Sequence, residues 1–205
     1  MKPELAIYLS GSIQKGQADE RDSFWTESEI RCIEGALGDF EVLLLNPAHR
    51  GDDLSDVLAT LGRDLLQVAV ADVVIVDARA RRGLGVGAEM VVAQDLGIPV
   101  VTICPPDSHY YKLNFEFFGQ HLAEWVHPFV HGLSDERVDD VRSACRWIRA
   151  NVDTGAGCDV SGASERVRHA VAHYMRTQLH RDAPMRDMVA RSASLPGRVE
   201  VWRAD

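Results

Sequence analysis

Hydrophobic positions along the chain form two kinds of segment. Apolar runs of six or seven residues, the clearest rich in β-branched side chains, are typical of strands that are buried on both faces. They predict strands at 5–10, 41–47, 72–78, 99–104 and, more weakly, 125–130. Longer segments between and after them carry apolar residues at helical spacing. These segments predict helices at 19–37, 53–71, 86–96, 134–152 and 165–179.

Strands that alternate with helices predict an α/β fold with a doubly wound, mostly parallel five-stranded sheet, Rossmann-like or flavodoxin-like. We expect one principal domain over residues 1–152, followed by a Gly/Ser/Asp-rich linker at 153–164. Residues 165–205 would then be a C-terminal helical appendage. Its last part, 182–205, has no clear period, and we expect it to be loosely ordered.

The composition narrows the possible functions. A formal net charge of −9 argues against sequence-independent binding of DNA or RNA, because such binding needs a basic face. No apolar run approaches the roughly 18–20 residues of a membrane span, and no signal peptide is visible at the first residues. The four cysteines are widely spaced and form no C-x-x-C pair. We therefore expect a cytoplasmic protein with reduced thiols.

Candidate chemistry lies in the loops that follow the predicted strands. Ligands of open parallel sheets bind beyond the carboxyl ends of the strands. The hydrogen-bonding and charged residues in those loops are Tyr8, Ser10, Ser12, Lys15, Asn46, His49, Asp77, Arg81, Arg82, Glu89 and Asn114. This concentration of polar groups predicts a pocket for a small polar ligand.

Neither glycine-rich loop matches a nucleotide-binding fingerprint. The stretch "GSIQKG" (11–16) has neither the G-x-G-x-x-G pattern nor the spacing of a P-loop. The stretch "GLGVGAE" (83–89) follows a predicted strand, but no acidic residue about twenty positions later ends a following strand. A Rossmann dehydrogenase and an ATPase or kinase are therefore disfavoured.

Three motifs in chain order carry a resemblance to a known family. They are "YLSGSI" (8–13), Asp64 placed eight residues before Asp72 of "ADVVIVD", and "GLGVGAE" (83–89). Across roughly residues 5–115 the chain resembles the nucleoside 2-deoxyribosyltransferase family. Its motifs are especially similar to those of the branch of 2′-deoxynucleoside 5′-phosphate N-hydrolases. The resemblance implies cleavage of an N-glycosidic bond without a metal or redox cofactor.

The resemblance implies catalytic roles for three residues. Glu89 would attack the anomeric carbon and form a covalent glycosyl ester, which water or another base then resolves. Placed in the first turn of the predicted helix, this carboxylate would be kept ionised by the helix dipole. Tyr8 would orient it, and Asp64 would contact the sugar or help to protonate the leaving base. Asp77 is an alternative general acid.

Further residues of the same loops would bind the substrate. They are Gly11, Ser12, Ile13, Lys15, Asp77, Arg81, Arg82, Gly85 and Gly87. The glycines leave room for a sugar beside the backbone, and the three basic side chains are placed to reach a phosphate. However, Gln14 stands where the N-hydrolase branch has a phosphate-binding arginine, and Gly83 replaces a serine. The choice between a nucleoside and a 5′-monophosphate therefore stays open, as does ribose against deoxyribose.

The segment "KLNFEF" (112–117) is similar to one in which the transferases place an asparagine in a neighbouring subunit's site. Asn114 would be that residue, so the resemblance implies a homodimer or a larger homo-oligomer with shared active sites. The aromatic stretch 115–125 would then be an interface, although a buried core helix explains its apolar residues equally well.

Two other functions remain open. A nucleotide-binding sensor would use the same loops without turnover and pass its signal through the C-terminal helix. A phosphoribohydrolase of modified adenine nucleotides uses a related glycine-plus-glutamate site, but its P-G-G-x-G-T wording is absent here. His169 and His173, four residues apart on a predicted helix, lack an evident third ligand. We interpret them as surface or structural residues and expect no bound metal.

Overall fold

A computed structural model describes residues 2–11, 25–155 and 160–202 of the chain. Its strands are β1 (Glu4–Ser10), β2 (Glu41–Leu45), β3 (Val73–Asp77), β4 (Val100–Ile103), β5 (Tyr111–Phe117), β6 (Gln120–Val126) and β7 (Glu136–Val138). Its helices are α1 (Glu27–Ala36), α2 (Val57–Ala69), α3 (Leu84–Asp95), α4 (Pro128–Gly132), α5 (Val141–Asn151), α6 (Glu165–Thr177), α7 (Ala183–Arg191) and α8 (Leu195–Glu200). The predictions for Ser12, Ile13 and Lys15 lie outside the described residues.

Five parallel strands form the central sheet in the order β2-β1-β3-β4-β7, which confirms the predicted doubly wound α/β fold. Successive side chains of β1 point to opposite faces, as the geometry of a strand requires. Ala6 and Tyr8 enter a core that includes residues of α2, α3 and the C-terminal helices. Leu5, Ile7 and Leu9 enter a second core that includes residues of α1 and α5. The sheet is therefore covered on both faces.

The fifth strand does not lie where the sequence predicted it. Residues 125–130 are divided between the end of β6 and the short helix α4, whereas the edge strand β7 lies inside the predicted helix 134–152. The reason is the cap of α5, because the Asp140 carboxylate accepts a hydrogen bond from Ser143 N at 2.7 Å. Helix α5 therefore begins after Asp140, which leaves three residues free to pair with β4.

The aromatic stretch 115–125 forms most of a β-hairpin, so the helical interpretation is wrong. Strands β5 and β6 pair antiparallel and are joined at Phe118 and Gly119, whose φ angles are 49° and 73°. Two successive positive φ angles are typical of the two-residue turns that match the twist of a hairpin. The rings of Phe115 and Phe117 lie on one face with that of Trp125, with centroids 5.6–5.7 Å apart.

The segment 182–205 is not loosely ordered in its described part, because it forms α7 and α8. Both helices have a proline in their first turn, where proline fits a helix start. Helix α6 packs directly on α2, and a Cβ added to Gly62 would lie 1.8 Å from the carbonyl oxygen of Ala170. The C-terminal helices therefore share the core of the sheet. Within the described ranges, no helix is long and apolar enough to cross a membrane.

Candidate active site

The candidate site lies where β1 and β3 end, at the point where the order of strands reverses direction. Glu89 extends from α3 toward the last residue of β1, and the Ser10 hydroxyl donates a hydrogen bond to Glu89 Oε2 at 2.5 Å. Ser10 was one of the polar loop residues, but it carried no specific role. The period of two along β1 could have found it, because Ser10 and Tyr8 face the same side of the sheet.

Tyr8 is fully buried beside the same carboxylate. Burial raises the pKa of its hydroxyl well above the usual value, and the negative charges of Glu89 and Asp64 raise it further. Within the described part of the chain, the hydroxyl makes no hydrogen bond of normal geometry. Because a buried polar group without a partner is costly, this hydroxyl favours any ligand or carboxylate rearrangement that supplies one.

Glu89 is a carboxylate with few partners in a largely buried position. Burial raises its pKa from 4.5 to about 6, and the nearby Asp64 contributes in the same direction, against the lowering influence of Ser10 and Tyr8. The helix dipole is not the main influence, because α3 begins at Leu84 and places Glu89 in its second turn. At neutral pH the group is mostly ionised yet poorly solvated.

The glycines of α3 leave one side of Glu89 open. A Cβ at Gly85 would lie 3.7 Å from Glu89 Oε1, whereas one at Gly87 would meet nothing within 4 Å. Gly83 is the N-cap of α3 and has no side chain to accept hydrogen bonds from the first backbone N–H groups of the helix. This end of α3 therefore offers both space and hydrogen-bond donors.

Asp64 lies on α2, with 21% of its side chain exposed. Its pKa is raised by burial, which outweighs the opposing charges of Arg50 and Arg63. It interacts electrostatically with both Glu89 and Tyr8. The structure therefore brings Asp64 into the same electrostatic environment as the other two predicted catalytic residues, as a carboxyl group that can hold a proton.

Asp77 and Arg82 are arranged differently from the prediction. The buried Asp77 carboxylate pairs with Arg82 at 2.5 Å and with Arg79 at 2.8 Å. Burial acts to raise its pKa, but these two arginines hold it below the usual value, so Asp77 is a poor general acid. Arg82 is 3% exposed and its charge is balanced by Asp77, which disfavours it as a phosphate ligand. Arg81, in contrast, is exposed.

Gly11 and Asn114 occupy separate positions. A Cβ at Gly11 would lie 3.2 Å from Trp25 Nε1, and that indole nitrogen donates to Ser10 O at 3.3 Å. Gly11 therefore lets an aromatic ring cover the end of β1. Asn114 lies exposed on the hairpin with a φ of 48°, and no hydrogen bond of the described residues joins it to Glu89.

The sequence analysis missed a buried arginine next to Asp64. Arg63 has no exposed side-chain surface and contacts the carboxylates of Asp64, Asp52 and Asp182. Its position in α2 gave a signal, because Arg63, Leu66 and Gln67 recur at the spacing of one buried helical face. A charged residue on such a face predicts a buried ion pair, but its distant partner cannot be identified from the spacing.

Among the described residues, no group of three or more histidine, cysteine or acidic side chains is placed to hold a metal ion. Comparison of the chain with protein-family models and with curated proteins finds no match. The resemblance to the deoxyribosyltransferases therefore rests on the three motifs quoted above.

Proposed function

We propose that the protein cleaves the N-glycosidic bond of a nucleoside or a nucleoside 5′-monophosphate through a covalent glycosyl ester on Glu89. The observation that carries this proposal is the environment of Glu89. A largely buried carboxylate of pKa about 6 accepts a hydrogen bond from Ser10 and lies beside a buried tyrosine, at the edge where parallel sheets bind ligands.

In the first step, Glu89 attacks C1′ and the bond between C1′ and the base nitrogen breaks. The bonding electrons go to the base, and Asp64 donates the proton that makes it a neutral leaving group. In the second step, water or another base attacks C1′ and the ester bond to Glu89 breaks. The nucleophile's proton returns to Asp64, so both carboxyl groups regain their starting states. This double displacement follows the retaining logic of glycoside cleavage.

The two oxygens of Glu89 have different environments. Oε2 is held by Ser10, whereas Oε1 lies on the side of Gly85, which has no side chain of its own to limit the space beside that oxygen. We assign Oε1 as the attacking atom. The Tyr8 hydroxyl, which has no partner of normal geometry among the described residues, would steady the carboxylate as its charge falls during attack.

The exposed Arg81 and the N–H groups at the start of α3 support an anionic group on the substrate. Arg82 adds little to this support, because it is already paired with Asp77. Either a nucleoside or its 5′-monophosphate is consistent with these contacts.

We also propose a homo-oligomer. Its support is an exposed apolar surface formed by Leu84 and Val91 of α3, Phe129 of α4, and Phe117 and Phe118 of the hairpin. Leu84 and Phe118 are 97% and 91% exposed, and a groove of about 520 Å³ lies between α3 and α4. Sedimentation should show a dimer or larger species that Phe118→Ser weakens. A monomer at micromolar concentration would contradict the proposal.

A cytoplasmic location is proposed from the cysteines. Cys32, Cys104 and Cys145, those in the described part of the chain, are free thiols, as is usual in a reducing compartment. Fractionation of cells that produce the protein should recover it with cytoplasmic markers. Recovery with secreted proteins would contradict this proposal.

The test of activity is a panel of ribo- and deoxyribonucleosides and their 5′-monophosphates, each incubated with and without a second free base. We expect released base, followed by chromatography, with wild-type protein and none with Glu89→Ala. Base exchange in place of release would make the protein a transferase. Binding of a panel member without turnover by wild-type protein would contradict the enzyme and favour the nucleotide sensor.

A further inference from the structure

Five charged side chains form a cluster beside the candidate site, where the loop after β2, helix α2 and the C-terminal helices meet. They are Arg50, Asp52, Arg63, Asp64 and Asp182. The side chains of Asp52, Arg63 and Asp182 have no exposed surface, whereas Asp64 is partly exposed. Buried charges of this kind are costly unless they are paired, so the way in which they pair matters.

Each arginine has a nearer partner than Asp64. Arg50 makes two hydrogen bonds to Asp52, at 2.8 and 2.7 Å, but lies 3.5 Å from Asp64 Oδ1. Arg63 Nε donates to Asp182 Oδ2 at 2.5 Å, but its Nη1 lies 3.4 Å from Asp64 Oδ1. Both guanidinium groups therefore lie closer to another carboxylate than to Asp64.

The charges of the cluster do not balance when all five groups are ionised. Two arginines pair with Asp52 and Asp182, and Asp64 remains as the third carboxylate. Among the described residues, the further ionisable groups that interact with Asp64 are Glu89 from α3 and Tyr8 from β1, and neither adds a positive charge. A buried carboxyl group in such surroundings holds its proton more readily than a free one.

Asp182 is fixed by several elements at once. It caps α7 and accepts hydrogen bonds from the Tyr174 hydroxyl of α6 at 2.8 Å and from Gly51 N of the β2–α2 loop at 3.1 Å. Helix α6 is in turn held against α2 at Gly62. The C-terminal helices therefore position the Asp182 carboxylate, which competes with Asp64 for Arg63. Asp182 lies more than one hundred residues along the chain from α2.

We propose that Asp182 is a positioning residue for the candidate site, because it takes the closer contact with Arg63, limits that arginine to a longer contact with Asp64 and so leaves Asp64 able to carry a proton. The catalytic part of this inference rests on the proposed function, in which Asp64 protonates the leaving base. The effect of Asp182 on the pKa of Asp64 does not depend on that function, because it follows from which carboxylate lies nearer to the buried arginine.

The test is a pH titration of the Asp64 carboxyl carbon by NMR in the full chain, with the signal assigned from Asp64→Asn. In Asp182→Asn, Arg63 loses its nearest anion and turns to Asp64, so the pKa of Asp64 should fall by about one pH unit. Glu4→Gln is the matched control, because it removes another carboxylate that holds the C-terminal segment, at the opposite end of β1. An unchanged titration in Asp182→Asn, or an equal change in Glu4→Gln, would overturn the proposal.

A second variant keeps the test decisive if Asp182→Asn fails to fold. Asp52→Asn releases Arg50 in the same way and should also lower the pKa of Asp64. An unchanged pKa of Asp64 in Asp52→Asn would overturn the inference that the carboxylates compete for the arginines. If the protein is a hydrolase, Asp182→Asn should also move the basic limb of kcat/KM to lower pH, while Glu4→Gln leaves it in place. A shifted titration without any hydrolysis would retain this inference and remove the proposed function.

Discussion

Two glutamates at the two ends of β1 differ in almost every respect. Glu4, the first residue of the strand, accepts hydrogen bonds from Ala193 N at 2.7 Å, Ser194 N at 3.0 Å, Ser192 Oγ at 2.8 Å and Ser194 Oγ at 2.7 Å. Glu89, beside the last residue of the strand, accepts one hydrogen bond of normal geometry from the described residues, that of Ser10, while the nearby Tyr8 hydroxyl also acts to lower its pKa. The pKa values of the two carboxyl groups are about 2 and about 6.

The difference shows how the surroundings of a carboxyl group set its pKa within one fold. Desolvation acts to raise the pKa of both carboxyl groups, but four hydrogen bonds outweigh it at Glu4 and the partners of Glu89 do not. A carboxylate surrounded by donors is stabilised as an anion and is a weak nucleophile. A carboxylate that is buried with few donors is more basic, and we interpret it as available for reaction.

The largest expected effect is that of Glu89→Gln. If Glu89 is the covalent nucleophile of the proposed function, its removal should lower turnover about 10³-fold or more. The same change should stabilise the protein at alkaline pH. Because the folded pKa of about 6 exceeds the ordinary 4.5, the contribution of Glu89 to stability is complete below pH 4.5 and is lost as pH rises through 6.

Relative to wild type, we therefore expect Glu89→Gln to gain about 2 kcal/mol of unfolding free energy between pH 4.5 and pH 8. Urea unfolding at a series of pH values measures this gain. If the difference between the two proteins were independent of pH, Glu89 would not be desolvated in the folded protein, and the contrast with Glu4 would disappear.

A smaller effect is expected from Ser10→Ala, which removes the hydrogen bond to Glu89 Oε2. The pKa of Glu89 should then rise further above 6, because the ionised form has lost a donor. The acid limb of kcat/KM should move to higher pH, with about a tenfold loss of activity at pH 6 and little loss at pH 8. Ser194→Ala, which removes a serine donor from Glu4, should leave the profile unchanged.

The smallest effect is expected from Glu4→Gln, on stability alone. An amide cannot accept all four hydrogen bonds, so the variant should lose about 1 kcal/mol at pH 7, a modest loss because this carboxylate is only partly buried. Since the pKa of Glu4 is depressed from 4.5 to about 2, its contribution is present above pH 4.5 and disappears as pH falls through 2. Chemical unfolding should show the two proteins converging in acid, while kcat/KM stays the same. A change in kcat/KM would show that the two ends of β1 are coupled.

The sequence predicted the parts of the fold that local pattern decides. Strands β1 to β4 lie within two residues of their predicted bounds, because each is a mainly apolar run that packs against the cores on the two faces of the sheet. The pattern failed at β7, which has three residues and polar side chains at an edge, and at α7 and α8, which are short and only partly apolar. Such elements are selected by capping and tertiary packing, and neither gives a periodic signal.

The residues of the candidate site also divide into those that the sequence predicted and those that it did not. The three motifs led to Glu89, Tyr8 and Asp64, which the structure places in one electrostatic environment. The partner of Arg63 could not be predicted, because Asp182 lies 119 residues further along the chain. The pairing of Arg82 with Asp77 was also missed, since a loop arginine after a strand looks equally suited to a ligand and to a carboxylate nearby.

The backbone contact between Gly62 and Ala170 has a consequence for any attempt to shorten the chain. In a fragment that ended near residue 155, the groove along α2 into which α6 packs would be exposed to water. At its base would lie the guanidinium of Arg63, which the full chain shields completely from water. Such a fragment would be expected to aggregate, so a shortened version of the protein would first need polar side chains along that groove.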